Sequence, residues 1–272
     1  VLKQLPPKSR RVVELDIESS LAAYRQVEKE AMDLFATRVK ELQKEGLSAA
    51  KAIRAATKEP EGAAQISQLR LQVGLAKLDV AAGFVLEHIE STGRKIVVFV
   101  HHKEVRAGLI ERLQEAGQKV VQIGGDTSQD GRDAAVKDFQ EDPETMVFIG
   151  STAASVGITL TAASDVVIVE GQWTPAIIDQ SEDRVHRIGQ DAEAVTAWHL
   201  LAPELAVDMH MWRTVERKRR VAAKSLGDPM AQDPSVIKGG RGAAGYVASL
   251  LKSKKKLEVS EEDPDLDDPE DS

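Results

Sequence analysis

Short apolar runs alternate with longer amphipathic stretches in the middle of the chain. The runs are rich in valine and isoleucine and read KIVVFV at 95–100, KVVQI at 119–123, TMVFIG at 145–150, DVVIVE at 165–170 and AVTAWHLL at 194–201. Continuous β-branched runs of this kind are typical of strands that are buried on both faces. Amphipathic helices are predicted between several of them, at 103–116, 128–140 and 175–186. The pattern predicts an α/β fold, with a parallel sheet covered by helices on both faces.

Residues 1–92 show a helical period instead. Apolar residues recur at steps of three and four over 21–42, after a serine that can cap a helix, and this pattern ends near Gly46. An alanine-rich stretch follows at 48–57, and a second long helical pattern runs over about 63–89. We therefore expect a mostly helical segment in front of the sheet.

The end of the chain differs in composition from both regions. A further helix is predicted at about 203–226, with the basic stretch RTVERKRR at 213–220. A glycine-rich joint, the short amphipathic piece YVASLLKSKKK and a run of acidic residues come after it, and the acidic run is too polar to form a core. The sequence thus predicts a helical segment at 1–92, an α/β domain at 93–226 and a flexible tail at 227–272.

Composition excludes several kinds of chemistry. The chain has 272 residues and no cysteine, which rules out disulfides, thiolate zinc sites and cysteine nucleophiles. It contains neither an apolar run long enough to span a membrane nor an apolar signal region at its start. Since it does not begin with methionine, we expect it to be part of a longer protein.

The net charge of −8 does not describe the body of the chain. Nine acidic residues lie after Leu257 with no basic residue among them, so the rest carries a net charge of about +1. The body can therefore present a basic face to nucleic acid. The acidic tail is expected to be either a solvating end, which we favour, or an arm that binds a partner.

The string QSEDRVHRIGQ, at 180–190, is the first candidate for chemistry. Parallel sheets bind ligands at the carboxyl ends of their strands, and this string ends the helix predicted there. Arg184 and Arg187 lie three residues apart, on one face of that helix, and two guanidinium forks suit a polyphosphate. The alternative is a solvated helix face on which Glu182 and Asp183 pair with the arginines.

Two other segments are placed at carboxyl ends of strands. GSTAASVGITLT at 150–161 offers small residues and hydroxyl groups that let backbone approach a phosphate. FVHHKE at 99–104 places polar residues directly after a strand. Its adjacent residues His101 and His102 point to opposite sides and have no third ligand at a suitable spacing, so no metal site is predicted.

Four segments carry a resemblance to a known family: KIVVFVHHKEV, IGGDTSQDGRDAAVKDFQ, VFIGSTAASVGITLTAAS and GQWTPAIIDQSEDRVHRIGQ. In this order they resemble the C-terminal RecA-like lobe of superfamily-two helicases, and specifically the annealing-helicase branch of Swi/Snf-type DNA translocases. The ending RVHRIGQ is the most specific of these motifs. LPPKSR at 5–10 and RLQVGLAK at 70–77 extend the resemblance over about residues 1–226.

The resemblance implies an ATP site that is shared between two lobes. Arg184 and Arg187 would act as arginine fingers toward ATP bound by the first lobe, with Gln180 assisting, while Gly157 would let its loop pack near the nucleotide. The sequence has no GxxxxGK[ST] motif and no Asp-Glu box after a buried strand. ATP with Mg²⁺ would then be held mainly by an absent N-terminal RecA-like lobe, and we expect the isolated chain to be inactive.

The resemblance also implies contacts with the backbone of double-stranded or forked DNA. The residues placed there are His102, Lys103, Ser151, Thr152, Arg132 and Trp173. Two roles stay open for Arg132, a structural one and a backbone contact. Three departures from the family pattern bear on these motifs: Thr174 replaces the asparagine of Trp-Asn-Pro, Asp183 replaces a glycine, and Ala153-Ala154-Ser155 replaces Ala-Gly-Gly.

Two other functions remain open at this point. One is the C-terminal lobe of an RNA helicase, which shares the fold and the arginine spacing but has a different sequence in place of RVHRIGQ. The other is a non-catalytic interaction domain on a helicase-like scaffold. Alanine richness and the absence of cysteine favour a bacterial or phage source and a cytoplasmic location, with a nuclear location as the alternative for a eukaryotic protein.

Overall fold

Six parallel strands form one sheet in the order β1-β6-β5-β2-β4-β3. The computed structural model describes residues 5–152, 157–225 and 242–253. The strands are β1 (Lys8–Glu14), β2 (Ile96–Val100), β3 (Lys119–Ile123), β4 (Thr145–Ser151), β5 (Asp165–Ile168) and β6 (Val195–Leu201). The predicted α/β fold with a parallel, RecA-like sheet is confirmed, and the five apolar runs are β2 to β6.

Helices account for most of the remaining described residues. They are α1 (Leu21–Lys44), α2 (Ala49–Lys58), α3 (Pro60–Ala76), α4 (Leu78–Thr92), α5 (Lys103–Glu115), α6 (Gln129–Glu141), α7 (Pro175–Glu182), α8 (Ala206–Ser225) and α9 (Gly242–Ser253). None of them is long and apolar enough to cross a membrane. The predicted helices at 21–42, 103–116 and 128–140 match α1, α5 and α6.

Strand β1 was not predicted, because it lies in the region with a helical period. Its sequence, KSRRVVE, is mostly exposed, as expected for a strand at the edge of a sheet. It pairs in parallel with β6, from Lys8 beside Val195 to Glu14 beside Leu201. A local sequence pattern does not reveal such a strand, since its partner lies at the other end of the domain.

The long helical pattern at 63–89 is two helices rather than one. Pro60 begins α3, where its missing N–H costs nothing, and α3 and α4 meet at Lys77. The ammonium group of Lys77 is fully buried and donates hydrogen bonds to the backbone oxygens of Val169, at 3.0 Å, and Leu200, at 2.8 Å. The break between the helices therefore coincides with a buried charge at the ends of β5 and β6.

The chain divides into two compact units. The sheet unit contains residues 1–18, 74–170 and 176–203, and the helical unit contains the rest, including α1, α2, α8 and α9. These boundaries differ from the division predicted at residues 92 and 226. The helical unit combines residues from the early and the late parts of the chain. Cutting the chain into consecutive segments therefore does not describe it.

Helix α9 lies within the tail that was expected to be flexible. It packs against α1, α2 and α8, and it is buried almost all round. Its Tyr246 hydroxyl donates to the Glu28 carboxylate at 3.2 Å, and the Tyr24 hydroxyl donates to the same carboxylate at 2.7 Å. Small residues let this helix approach its neighbours closely, so the expected flexibility does not apply to 242–253.

The glycine-rich joint, the acidic run and Ala153-Ala154-Ser155 lie outside the described residues.

Replacing Lys77 by methionine should destabilise the sheet unit. The variant leaves the carbonyl oxygens of Val169 and Leu200 buried without their donor, and we expect a loss of about 1.5–3 kcal/mol in the free energy of unfolding. Urea unfolding followed by circular dichroism measures it. Lys137→Met, at an exposed position of α6, is the matched control. Equal unfolding midpoints for the two variants would show that the buried ammonium contributes nothing.

Candidate functional site

Loops at the carboxyl ends of the central strands lie side by side because β2, β4 and β5 are neighbours in the sheet. Hydrogen bonds beyond the strands hold these loops together. The Thr152 amide donates to the Val100 oxygen at 3.0 Å, and the Val169 amide donates to the Phe99 oxygen at 3.1 Å. The segments that follow β2, β4 and β5 therefore begin at one edge of the sheet.

The two candidate arginines lie on a turn, not on a helical face. Helix α7 ends at Glu182, four residues before the predicted end, and an irregular turn covers 183–190, which we call the arginine turn. The predicted common helical face of Arg184 and Arg187 is thus wrong. The helix stops where the Glu182 side chain enters the interior of the sheet unit, as described below.

The arginine turn is attached to the loop that follows β4. The Leu160 amide donates to the Arg184 backbone oxygen at 2.9 Å. The Arg187 guanidinium donates to the Thr159 hydroxyl at 3.0 Å, and its Nε donates to the Asp183 backbone oxygen at 3.1 Å. Gly157, at the near end of the described loop, has a φ of +85°, a conformation that favours glycine. The loop that contains Gly157 therefore contacts the arginine turn, and the role predicted for Gly157 near a nucleotide stays a prediction.

Neither arginine is neutralised by a carboxylate within the described residues. Arg184 is only 7% exposed, and its pKa is lowered, first because burial disfavours the charged guanidinium and then because the charge of Arg187 lies nearby, while the charge of Asp183 acts in the opposite direction. The alternative in which Glu182 and Asp183 pair with these arginines does not hold. Asp183 pairs with Lys8 at 2.8 Å, and Glu182 has other partners.

Glu182 is the centre of a buried ion cluster. Its carboxylate accepts from Arg10 Nε at 2.9 Å and Arg10 Nη2 at 2.7 Å, and Lys8 Nζ lies 3.2 Å away. His199 Nε2 lies 3.2 Å from its Oε1. Burial alone raises the pKa of Glu182, but the hydrogen bonds with His199 and Arg10 and the charges of Arg10 and Lys8 lower it well below its usual range. Glu182 thereby joins α7 to β1 and β6.

The rest of the arginine turn has mainly structural contacts. His186 Nε2 lies 2.8 Å from the Pro6 oxygen, and the Gln190 amide donates to the oxygens of Ala163 and Val185. Ile188, in contrast, is 62% exposed. Gln180, predicted to assist the arginines, is exposed on α7.

His102 has a buried partner that the sequence did not indicate. Glu170 accepts the backbone amides of His101, at 2.6 Å, and His102, at 2.9 Å, and it also contacts His102 Nδ1. The other ring nitrogen of His102 is buried and has no hydrogen-bond partner. The DNA contact predicted for His102 is untested, and the structure gives this ring a structural partner instead.

The other residues predicted to contact DNA fall into two groups. Lys103 is exposed at the start of α5, Ser151 is half-buried at the end of β4 and Thr152 is buried beside it. Arg132 donates to the backbone oxygens of Thr127 and Gly124, at 3.1 and 3.2 Å, which supports the structural one of its two possible roles. Trp173 belongs to the helical unit, where its ring packs edge-on against His210.

Sequence reasoning missed Glu182 and Glu170 as residues that connect the elements of the sheet unit. Each lies at the end of an amphipathic or apolar segment, and that position was the only available signal. Thr159, which accepts the Arg187 hydrogen bond, lay within a loop that the sequence did single out. The described residues contain no cluster of three side chains arranged to hold a metal ion.

Comparison with known proteins places these features in a family. The helicase conserved C-terminal domain matches residues 77–189. The human "DNA annealing helicase and endonuclease ZRANB3" is 32% identical over 227 residues, which cover 83% of this chain and 20% of that protein. The Xenopus tropicalis "SWI/SNF-related matrix-associated actin-dependent regulator of chromatin subfamily A-like protein 1" is 30% identical over 226 residues, which cover 83% and 22%.

Two solved structures share the fold. "Crystal structure of the C-terminal part of Fun30 ATPase domain" aligns with a TM-score of 0.63 at 16% identity, covering 94% of this chain and 100% of that one. "Sulfolobus solfataricus SWI2/SNF2 ATPase core in complex with dsDNA" aligns with a TM-score of 0.58 at 18% identity, covering 94% and 50%.

The sheet, the arginine turn and the domain match define the class, which is a helicase C-terminal domain with a RecA-like sheet. More particularly, the chain belongs to the Swi/Snf type of superfamily-two helicases as a C-terminal lobe and resembles their annealing-helicase branch. It spans about a fifth of the length of the curated relatives it matches. The relatives named here come from vertebrates, so they do not support the prediction of a bacterial or phage source.

Glu182→Gln should weaken the sheet unit and change its response to acid. Removing the charge from a buried ion cluster is expected to cost about 3–5 kcal/mol near neutral pH. Because the folded-state pKa lies below the ordinary 4.5, the stabilisation is complete above that pH and is lost as the pH falls further. The unsubstituted chain should therefore lose more stability than Glu182→Gln when the pH is lowered through this range.

Urea unfolding at a series of pH values measures both effects. Glu193→Gln, at an exposed carboxylate in the turn before β6, is the matched control and should follow the unsubstituted chain. An unchanged acid response in Glu182→Gln would contradict the assignment of this stability to the Glu182 cluster.

Proposed function

We propose that the chain is the C-terminal motor lobe of an ATP-dependent double-stranded-DNA translocase, with Arg184 and Arg187 as its arginine fingers. One observation carries this proposal. Within the described residues, Arg184 is buried, forms no ion pair and has a pKa lowered by burial and by the charge of Arg187. Such a site favours an anion from outside the unit, and the γ-phosphate of a nucleotide has the right charge and geometry.

The arginine turn suits this role because its backbone is fixed at both ends. Glu182 holds the beginning of the turn, and Gln190 holds its end through the oxygens of Ala163 and Val185. Guanidinium groups on a rigid support stabilise developing charge without reorganising during the reaction. Arg184 and Arg187 would donate N–H groups to γ-phosphate oxygens, with ATP and Mg²⁺ held by the N-terminal RecA-like lobe.

Lys103, Ser151 and Thr152 are the residues we assign to the DNA backbone. They lie at the carboxyl ends of neighbouring strands, and they offer an ammonium group and hydroxyl groups. Such donors recognise phosphates rather than base edges, so little sequence specificity is expected. Forked or plain duplex DNA is the proposed partner, together with the N-terminal lobe.

The isolated chain should show no ATP turnover, with or without forked duplex DNA, because the groups that grip the phosphates and Mg²⁺ belong to the other lobe. A coupled phosphate-release assay on the purified chain measures this. Multiple turnovers by the isolated chain would refute the division of the ATP site between two lobes.

Arg187→Ala and Arg184→Ala should abolish DNA-stimulated ATPase activity in a two-lobe protein that contains this chain. Loss of an arginine finger reduces the rate by about 10³–10⁵ in related phosphoryl-transfer systems. Single-turnover hydrolysis separates this defect in the chemical step from a defect in ATP binding. Arg187→Lys should recover little activity, because lysine lacks the planar pair of donors.

Arg25→Ala, at an exposed position of α1, is the control and should retain full activity. If both turn variants hydrolysed ATP at the rate of this control, the arginine turn would not contact the nucleotide. Normal ATPase activity combined with lost DNA stimulation would instead assign the turn to DNA binding. A two-lobe protein without any ATPase activity would favour the non-catalytic interaction domain.

A further inference from the structure

The carboxylate of Glu170 makes three contacts with the two residues that lead into α5. Its Oε2 accepts the backbone amides of His101, at 2.6 Å, and His102, at 2.9 Å, and its Oε1 contacts Nδ1 of the His102 ring. Glu170 is only 3% exposed, and hydrogen bonds are stronger in such a poorly hydrated environment. Both of its oxygens are thus used at the point where the chain leaves β2 and enters the helix.

Helix α3 leaves room for this carboxylate. Gly74 lies near the end of α3, and a Cβ at this position would lie 2.8 Å from Oε1 and 2.9 Å from Cδ of Glu170. Protein interiors are close-packed, so contacts this short would displace the side chain. The glycine therefore fits a Glu170 side chain that has a fixed place.

The contact with Glu170 determines which nitrogen of the His102 ring carries a hydrogen. An ionised carboxylate only accepts hydrogen bonds, so Nδ1 has to be the donor. Nε2 of the neutral ring is then an acceptor, and it is buried without a hydrogen-bond partner among the described residues. The ring therefore offers no donor to a DNA phosphate.

Lys103 directly follows the two residues that Glu170 holds. It is the first residue of α5 and is exposed, and its ammonium group is a point charge on a flexible stem. The position of its backbone therefore sets which phosphate the ammonium group can reach. The Arg106 amide donates to the His102 oxygen at 3.0 Å, so the first turn of this helix is built on the backbone that Glu170 fixes.

We propose that Glu170 is a positioning residue for DNA binding, which holds the start of α5 so that Lys103 meets the DNA backbone at a fixed place. This inference rests on the proposed contact between Lys103 and DNA. It also predicts an effect opposite to that of simple electrostatics. Removing a negative charge near a polyanion strengthens binding, whereas removing the Glu170 carboxylate should weaken it.

The ring of His102 tests the pairing with Glu170 in the full chain without DNA. Long-range correlation of ¹H and ¹⁵N in the histidine rings should show a protonated Nδ1 and an unprotonated Nε2, with the signals assigned by their loss in His102→Gln. Glu170→Gln keeps an oxygen for the two amides but turns an N–H toward Nδ1, so the ring hydrogen should move to Nε2. A protonated Nε2 in the unsubstituted chain, or the same ring signals in both proteins, would overturn the pairing.

The salt dependence of duplex DNA binding, measured by fluorescence anisotropy on a two-lobe protein that contains this chain, tests the positioning. Lys103→Gln should lower the slope of log K against log salt concentration by about one, as expected for one lost phosphate contact. Glu170→Ala should lower the slope by the same amount. Adding Lys103→Gln to it should change the slope no further, since both act through one contact. Glu170→Gln, which can still accept both amides, should keep the unsubstituted slope.

Asp165→Asn is the matched control, because Asp165 is a buried carboxylate at the opposite end of β5 and accepts from Trp198 at 2.9 Å. It should destabilise the sheet unit without changing the slope. Tighter DNA binding by Glu170→Ala, or additive losses in the double variant, would overturn the positioning role. An unchanged slope in Lys103→Gln would refute the proposed DNA contact of Lys103 together with this inference, whereas a lowered slope in Lys103→Gln alone would refute only the inference. If Glu170→Ala did not fold, the ring signals of Glu170→Gln would still decide whether the pairing exists.

Discussion

The buried carboxylate of Glu182 fixes the geometry on which the candidate site depends. Removing a carboxylate from water is costly, and the cost is offset only where several donors surround it. Arg10 and Lys8 come from β1, and His199 comes from β6. One side chain thus attaches the edge strand and β6 to the end of α7. The arginine turn begins at the next residue, so the backbone that carries Arg184 and Arg187 is held in place at its start.

A second buried carboxylate with several donors lies just beyond the neighbouring strand, β5. Glu170, just beyond β5, accepts the amides of His101 and His102 and thereby fixes the first turn of α5. Lys77 satisfies backbone oxygens at the ends of β5 and β6. Buried polar groups need such partners, and here the partners belong to different loops. A few buried charges therefore connect the loops and helices to the sheet, while apolar packing organises its centre.

This difference between apolar packing and buried charges explains which parts of the structure could be predicted from the sequence. Strands β2, β4 and β5 are apolar runs that are buried almost throughout, so consecutive residues indicate their burial. The same holds for the amphipathic helices α1, α5 and α6, which show a local period. Strand β1 has no such signal, because it is polar, exposed and held by a partner strand far along the chain.

The sequence singled out the candidate loops but not the contacts within them. The functional role of RVHRIGQ and of the residues after β2 and β4 stays a prediction. The early end of α7, however, follows from the partners of Glu182, which lie 172 residues away in the case of Arg10. The buried partner of His102 lies 68 residues away. Contacts between residues so far apart in the chain depend on the whole fold. Spacing in the sequence alone therefore gave the wrong prediction that Arg184 and Arg187 share a helical face.

Arg184 differs from the other buried charges of the sheet unit. Lys77, Arg106, Asp165, Glu170 and Glu182 all have hydrogen-bond partners. The guanidinium of Arg184 has none within the described residues, although the two residues before it, Glu182 and Asp183, supply carboxylates to Arg10 and Lys8 of β1. A buried cation without a partner destabilises the unit that contains it. An anion bound from another molecule, as proposed above for the γ-phosphate of ATP, would supply the partner that the unit itself does not provide.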